Sequence, residues 1–446
     1  MKINKTELLA PAGSLEKMKY AFAYGADAVY AGIPDFSMRY RINTFDEKSL
    51  GESIRYAHKL GKKIYVTVNI YAHNRHIKNV VGHLKFLSKV KPDAIILSDP
   101  GILALVKKHA PGIDIHLSTQ ANATNWKAVE FWKNQGIRRI ILGREVTLKE
   151  IKEIKKRVPE AVLEYFVHGA MCMSYSGRCI LSQWIAGRSA NLGDCAQLCR
   201  WKYIQKSQCQ DPNFKSNAEL KNSKNKTLIM SVEDNKGEVQ IDLEEDSNGT
   251  YFFNSKDLNL LEHLEKLKKA GVESFKIEGR NKSVYYVSLV TRAYRNVLNA
   301  LEKKASKQKL VKTIREHKKE LMALANRGYT EGFLFGFEPE HNYENSHVEI
   351  PHQFVGEVKD EKGDLVKMIV HNAIYPDDKL EGVTSSGNKP FKIKRILNDK
   401  KQEVTSAHGG QNKIFFAELK NKENFGEFDL IRKIIPKKIV HKALIY

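Results

Sequence analysis

From Glu7 onward, short apolar runs alternate with longer amphipathic segments, and few architectures satisfy such a pattern. Repeated switching between strand and helix periods marks βα units around a parallel sheet, whose strands are buried on both faces and read as unbroken apolar runs. Eight runs are expected as strands: Glu7–Ala10, Ala28–Ala31, Ile64–Val68, Ala94–Leu97, Ile115–Ser118, Arg139–Leu142, Val162–Val167 and Ser274–Ile277. Eight units predict closure into a TIM-like (β/α)8 barrel. The helices between them have readable ends. Ser14 can cap the helix that Gly25 stops. The segment Asp257–Ala270 carries Leu258, Leu261, Leu264 and Leu267 along one side, with Gly271 as its stop, and is expected as a helix.

An open doubly wound sheet would also alternate strands and helices, but polar residues gather just past the strand ends. Pro11 to Gly13, Gly32, Asn69, Asp99, Gln120, Asn122, Arg144, Glu145, His168 and Glu278 to Arg280 all do so. In an eight-fold barrel these positions share the rim where active sites lie. For any one of them, capping explains the position as well as substrate contact does. Their accumulation on one face is the argument for a site.

Four of the five cysteines fall between Glu164 and Arg200, directly after the seventh expected strand. Six residues separate Cys172 from Cys179, fifteen separate Cys179 from Cys195, and three separate Cys195 from Cys199. Thiolates so grouped are soft ligands that suit an iron–sulfur cluster or zinc. Structural zinc sites favour pairs two residues apart, which neither pair here provides. Disulfides suit small secreted domains, whereas this chain is long, poor in cysteine and begins without an apolar export signal. Unligated thiols are the remaining alternative. Cys209 lies in a polar stretch and needs no role.

The 446 residues call for more than one domain. The reading is a barrel over 1–303, with the cysteine-rich segment 164–200 and a polar insertion 206–246, a helical connector over 304–350, and a small all-β barrel over 351–446. With 42% hydrophobic residues and no eighteen-residue apolar run, the chain reads as a cytoplasmic protein with no membrane segment. Its net charge of +22 attracts polyanions through counterion release, and RNA is the leading partner. A lysine-rich composition, as in Lys221 to Lys226, is the bland explanation of the same charge.

The run Glu164-Tyr-Phe166, with Gly169-Ala-Met-Cys172, Gly177-Arg-Cys179 and Leu181-Ser182, resembles the signature of the collagenase-like peptidases of unassigned catalytic type, family U32. The similarity extends to Leu8–Ser14, Ala26–Gly32, His116–Asn122, Phe253–Leu258 and Phe275–Arg280. Bacterial members with this pattern carry a 4Fe–4S cluster and act with prephenate in oxygen-independent hydroxylation. The resemblance therefore implies such a cluster on Cys172, Cys179, Cys195 and Cys199, and prephenate as co-substrate. Members with an extra C-terminal β domain act on RNA, most notably making 5-hydroxyuridine at the tRNA wobble position, so tRNA is the implied partner and a 23S rRNA cytidine the second candidate. A paralogous subunit or a homo-oligomer is compatible with this reading.

Prephenate carries two carboxylates, which arginine pairs bidentately. Arg144 and Arg280 are the leading candidates, with Lys256, Gln120 and Asn122 as further contacts and Arg39, Arg41 and Lys276 as other nearby cations. His168 and Glu278 are the candidate acid–base groups. Salt bridges tying the rim together, Arg144 with Glu145 and Arg280 with Glu278, account for each of the two slightly better than substrate binding does. A collagenase-like peptidase is an alternative, although the sequence has neither H-E-x-x-H nor G-x-S-x-G. A non-catalytic RNA-binding protein is the third.

Overall fold

The computed structural model describes residues 6–37, 44–172, 174–175, 181–186, 188–192, 194–196, 198, 203–205, 228–234, 240–245, 255–337, 339, 350–362, 365–410, 413–420 and 424–435. Strands β1 (Glu7–Pro11), β2 (Ala28–Ala31), β3 (Lys63–Thr67), β4 (Ala94–Leu97), β5 (Asp114–Leu117), β6 (Arg139–Ile141) and β7 (Val162–Gly169) come first. They are followed by β8 (Tyr203–Gln205), β9 (Leu228–Asp234), β10 (Gln240–Glu245), β11 (Asp257–Asn259), β12 (Val272–Ile277) and β13 (Tyr329–Thr330).

Strands β1 to β7 pair in sequence, all parallel, and β12 pairs with both β7 and β1. The barrel is closed by eight parallel strands, as the alternation predicts. The strands are almost wholly buried: every residue of Ala94–Leu97 is inaccessible, which is why such segments carry no polar period. Helix starts are fixed by side-chain caps. Ser14 accepts the amide of Lys17, Asp99 accepts that of Ile102 with Pro100 in the first turn, and Thr147 forms a capping box with Glu150.

One expectation about these elements differs from the structure. Only 264–269 of the expected helix 257–270 is α-helical. Asp257–Asn259 is instead the short strand β11, antiparallel to the end of β7 and parallel to β13. The cause is tertiary: Asp257 is clamped by Arg327, Oδ1 accepting from Nε at 3.2 Å and Nη2 at 2.5 Å. The polar insertion 206–246, expected as a loop with weak strands such as Glu238 to Ile241, contributes β9 and β10, which form a three-stranded antiparallel sheet with β8 just before it.

The C-terminal part comprises β14 (His352–Lys362), β15 (Leu365–Val370), β16 (Leu380–Val383), β17 (Asn388–Phe391), β18 (Ile393–Leu397), β19 (Glu403–Val404), β20 (Ile414–Leu419) and β21 (Leu430–Ile434). These form one antiparallel sheet in the order β17-β16-β21-β14-β15-β20-β18-β19. It is a half-barrel: among the described residues its end strands β17 and β19 do not pair to close it. The β15 burial pattern alternates, as one covered face requires.

The sheet docks on two barrel helices, Leu15–Ala23 and Val284–Glu302. Tyr24 donates to the carbonyl of Val383 at 2.6 Å, and Tyr20 donates to Glu357 at 2.7 Å. Arg292 reaches Glu320 at 2.6 Å and Asn388 at 2.8 Å, while Arg432 lies 3.5 Å from the same Glu320. No helix among the described residues is long and apolar enough to cross a membrane.

Candidate active site at the barrel mouth

The barrel interior is polar at one level. Glu164 on β7 is fully buried and accepts from Arg139 on β6 at 3.0 Å and from Lys276 on β12 at 2.8 Å. Arg139 also pairs with Glu7 at 2.5 Å, and Tyr65 and Ser274 donate to Glu7 at 2.6 and 2.9 Å. Buried charges persist where each has a partner. Burial opposes the ionisation of Glu7, but Arg139, Tyr65 and Ser274 together outweigh it and hold the carboxyl below its ordinary range. Burial pulls the pKa of Lys276 down, with Glu164 acting against it.

Above this level three cations and two aromatic rings line the mouth. Lys276 sits 4.4 Å from the ring centroid of Tyr30 and 5.3 Å from that of Phe166. Arg144 lies 3.8 Å from the Phe166 centroid, and Arg280 lies 5.5 Å from that of Tyr30. Arg280 is buried and donates to Ser37 Oγ at 2.5 Å and Thr67 Oγ1 at 3.1 Å, hydroxyls that are themselves 2.6 Å apart. Gly32 makes this seat possible. A Cβ there would stand 2.2 Å from Thr67 Oγ1 and 2.9 Å from the Ser37 side chain. Gly13 is equally constrained, because a Cβ would come 2.2 Å from the Arg280 carbonyl oxygen.

Just past Thr67, Asn69 donates to Ser118 at 3.1 Å, and Ser118 donates to Gln120 Oε1 at 3.3 Å. The other amide atom of buried Gln120, Nε2, and the Asn122 Oδ1 have no hydrogen-bond partner among the described residues. Such groups cost free energy unless a ligand or water satisfies them. The structure therefore brings Arg144, Arg280, Gln120 and Asn122 to the barrel mouth. Tyr30, Ser37, Thr67 and Phe166 were not legible as site residues. For Ser37 and Thr67 the available signal was Gly32, whose missing side chain makes room for both hydroxyls.

Lys256 lies apart from the Arg144–Phe166 pair, with its stem along Gly328 where β11 meets β13. His168 points elsewhere as well. One extra residue, Val167, sits between the Phe166–Lys276 and His168–Ile277 pairings, and this bulge turns His168 toward the helix Val284–Glu302. Its Nδ1 is 3.3 Å from the Tyr294 hydroxyl, and the rings of Tyr286, Tyr294 and Tyr329 surround it at 5.4 to 5.9 Å. Burial pushes its pKa down to about 3, so the imidazole is neutral. Glu278 is buried next to it, its amide donating to the His168 carbonyl at 2.8 Å.

The cysteine-rich segment leaves β7 through Gly169, whose φ of 108° only glycine adopts readily. Cys172 is exposed and Cys195 half-buried. Ser182 Oγ lies 3.7 Å from Cys195 Sγ and accepts the Ala196 amide at 3.1 Å. Arg188 braces the same turn by pairing with Asp194 at 2.8 Å. Cys179, Cys199, Cys209, Arg39 and Arg41 lie outside the described residues. Among the described residues no group of three or more potential metal ligands is gathered.

Comparison with known proteins agrees with this architecture. Peptidase family U32 matches residues 13–344, and the Peptidase family U32 C-terminal domain matches residues 351–432. The chain is 44% identical over 434 residues to the tRNA hydroxylation protein P of Haemophilus influenzae, covering 92% of this chain and 93% of that one. It is 43% identical over 424 residues to the tRNA hydroxylation protein P of Escherichia coli, covering 91% and 92%. The 23S rRNA 5-hydroxycytidine C2501 synthase of Escherichia coli is 34% identical over 298 residues, which is 67% of this chain and 40% of that protein. With both parts matched and near-complete coverage of these relatives, the chain belongs to peptidase family U32.

Proposed function

We propose that this protein is an RNA hydroxylase that converts the wobble uridine of tRNA to 5-hydroxyuridine, using prephenate and an iron–sulfur cluster. The observation that carries the reading is the barrel mouth of Arg144, Lys276 and Arg280 over Tyr30 and Phe166, in a chain that matches tRNA hydroxylation proteins along nearly its full length. Cations spaced around aromatic rings suit a ring-bearing carboxylate such as prephenate: guanidinium groups pair the carboxylates, while apolar faces cover the ring.

Cys172, Cys179, Cys195 and Cys199 would hold a 4Fe–4S cluster. The donor chemistry fits, since thiolates are the ligands such clusters take and the cysteine-rich segment follows the rim strand β7. When bound, such a cluster supplies one-electron transfer beside the mouth. This chain's own residues would hold the anion, through Arg144 and Arg280, and exclude water with Phe166 and Tyr30.

Peptide hydrolysis fits less well, because His168 faces tyrosines rather than a nucleophile. The rRNA cytidine reading is supported by the synthase relative, but over a smaller share of that protein. Mass spectrometry of tRNA nucleosides from a deletion strain tests the proposal. Loss of 5-hydroxyuridine derivatives, restored by the gene and not by an Arg144→Ala copy, is the expected result. Undiminished derivatives in a strain with no other enzyme for that step would reject it.

A further inference from the structure

Between Lys303 and Lys319 the sequence has eight lysine or arginine residues and one glutamate, a net +7 of the chain's +22. That is a local concentration, not the even spread of a lysine-rich composition. The stretch ends in the helix Lys307–Met322. At about 100° per residue, Lys307, Lys312, Arg315, Lys318 and Lys319 share an arc of roughly 140° on that helix. All five are exposed, and no acid lies within the arc. Glu316 borders it, 4.0 Å from Lys312, and Glu320 turns inward to Arg292 and Asn388. Lys318 pairs with Glu262 at the surface, where such a pair is weak. Lys307, Arg315 and Lys319 form no ion pair among the described residues.

Helix stability does not account for this pattern. Arg315 and Lys319 are like charges one turn apart, and such neighbours destabilise a helix. Lys307 and Lys309 stand in a first turn without an acid, where a cation opposes the helix dipole. The packing is done by the other side, where Leu310, Ile314 and Leu321 meet the barrel core.

The basic face also has a direction. Its helix runs antiparallel to Val284–Glu302, since Arg292 meets Glu320 while Asn296 Nδ2 lies 3.0 Å from His317 Nε2. Val284–Glu302 starts at the Ser283 cap, just past Arg280 of the mouth. Lys318 and Lys319 are therefore at the mouth's end of the barrel, and Lys307 lies about 18 Å further from it at 1.5 Å per residue. Just beyond the helix, Arg327 holds Asp257 on β11, which pairs with the end of β7.

We infer that this face is a track for the phosphate backbone of the RNA substrate, binding the stem that leads away from the nucleotide in the mouth. The assignment rests on the RNA reading of the mouth and adds where the body of the RNA lies. Exposed cations in a row neutralise phosphates with release of counterions and read no sequence, which suits a stem. A lipid surface also carries many anions, but a helix enters one by a broad apolar side, and Val311 and Met322 are the only apolar residues on this face.

The test is equilibrium binding of the full-length protein to a fluorescein-labelled tRNA transcript with uridine at the wobble position, over a range of salt concentrations. The triple variant Lys307→Gln, Arg315→Gln, Lys319→Gln should lower the slope of log affinity against log salt by about 2 to 3, at roughly 0.7 to 0.9 per phosphate. The control Lys85→Gln, Lys107→Gln, Lys108→Gln removes as much charge from exposed positions across the barrel, on the helices Asn74–Val90 and Pro100–His109. Its slope should match the wild type, because exposed charges are screened beyond about 10 Å at 0.1 M salt. The melting temperature of the track variant should not fall, since the substitutions relieve like-charge contacts. Equal slopes for wild type and track variant, or equal losses in both variants, would overturn the track and leave the RNA reading intact. Unchanged tRNA binding with lost sedimentation on phosphatidylglycerol vesicles would give the face to a lipid surface instead. A wild type that does not bind the tRNA would overturn both the track and the RNA reading.

Discussion

The guanidinium of Arg144 rests 3.8 Å from the centroid of Phe166, and among the described residues it makes no ion pair. A cation placed on an aromatic face is oriented without being neutralised, so its donors stay available to an incoming anion.

Removal of that cation should therefore be felt in substrate binding. Arg144→Ala is expected to weaken prephenate binding by roughly 1.5 to 3 kcal/mol, the cost of a charge-assisted hydrogen bond. Calorimetric titration of wild type and variant measures the difference. Equal affinities would move the anion site elsewhere on the mouth.

Gly32 should tolerate no side chain. The Cβ of Gly32→Ala would collide with Thr67 Oγ1 and displace the hydroxyl seat of Arg280. Overpacking of this kind costs roughly 1 to 3 kcal/mol. Thermal melting reads the stability loss, and prephenate titration shows whether Arg280 has lost its position. A variant with native stability and affinity would show that the seat is dispensable.

Cys172→Ala, Cys179→Ala, Cys195→Ala and Cys199→Ala should each reduce the iron content of protein purified without oxygen, and Cys209→Ala should not. Thiolate-to-iron charge transfer near ~400 nm provides an independent readout, absent from a zinc site. A fully iron-loaded Cys195→Ala protein would exclude that residue from the ligand set.

Acid should loosen the docking of the two parts. Burial by itself would raise the pKa of Glu320, but His317, Arg292 and Asn388 outweigh it and hold the value at about 2. A carboxyl depressed in the folded state contributes stability that is complete above its unfolded pKa, roughly 4.3. That contribution is lost as pH falls through the folded value of about 2. Melting temperatures from neutral pH downward should fall most steeply across this interval, and Glu320→Gln should flatten that part of the curve. An identical curve for the variant would remove Glu320 from this role.

The barrel was legible because its strands are buried on both faces and leave a distinct mark: Ala94–Leu97 and Ala28–Ala31 have the same bounds in sequence reading and structure. The β11 segment was not. Its leucines repeat at helical spacing, yet the deciding contact is Asp257 with Arg327, seventy positions away in sequence, which no local pattern carries. His168 illustrates a second limit. Strict alternation aims it with Phe166 into the barrel, and a one-residue bulge reverses it. At the mouth, the cations stood out by charge, while Ser37 and Thr67 are small hydroxyls of a kind common in any loop.

The seat of Arg280 also sets an order of assembly. Its partners Ser37 and Thr67 lie 243 and 213 residues earlier in the chain. During synthesis, β1 to β7 and the cysteine-rich segment emerge long before β12, so the barrel stays an unclosed sheet with an unpaired edge on either side. The mouth therefore acquires two of its three cations, Lys276 and Arg280, only when the last parallel strand slides into place.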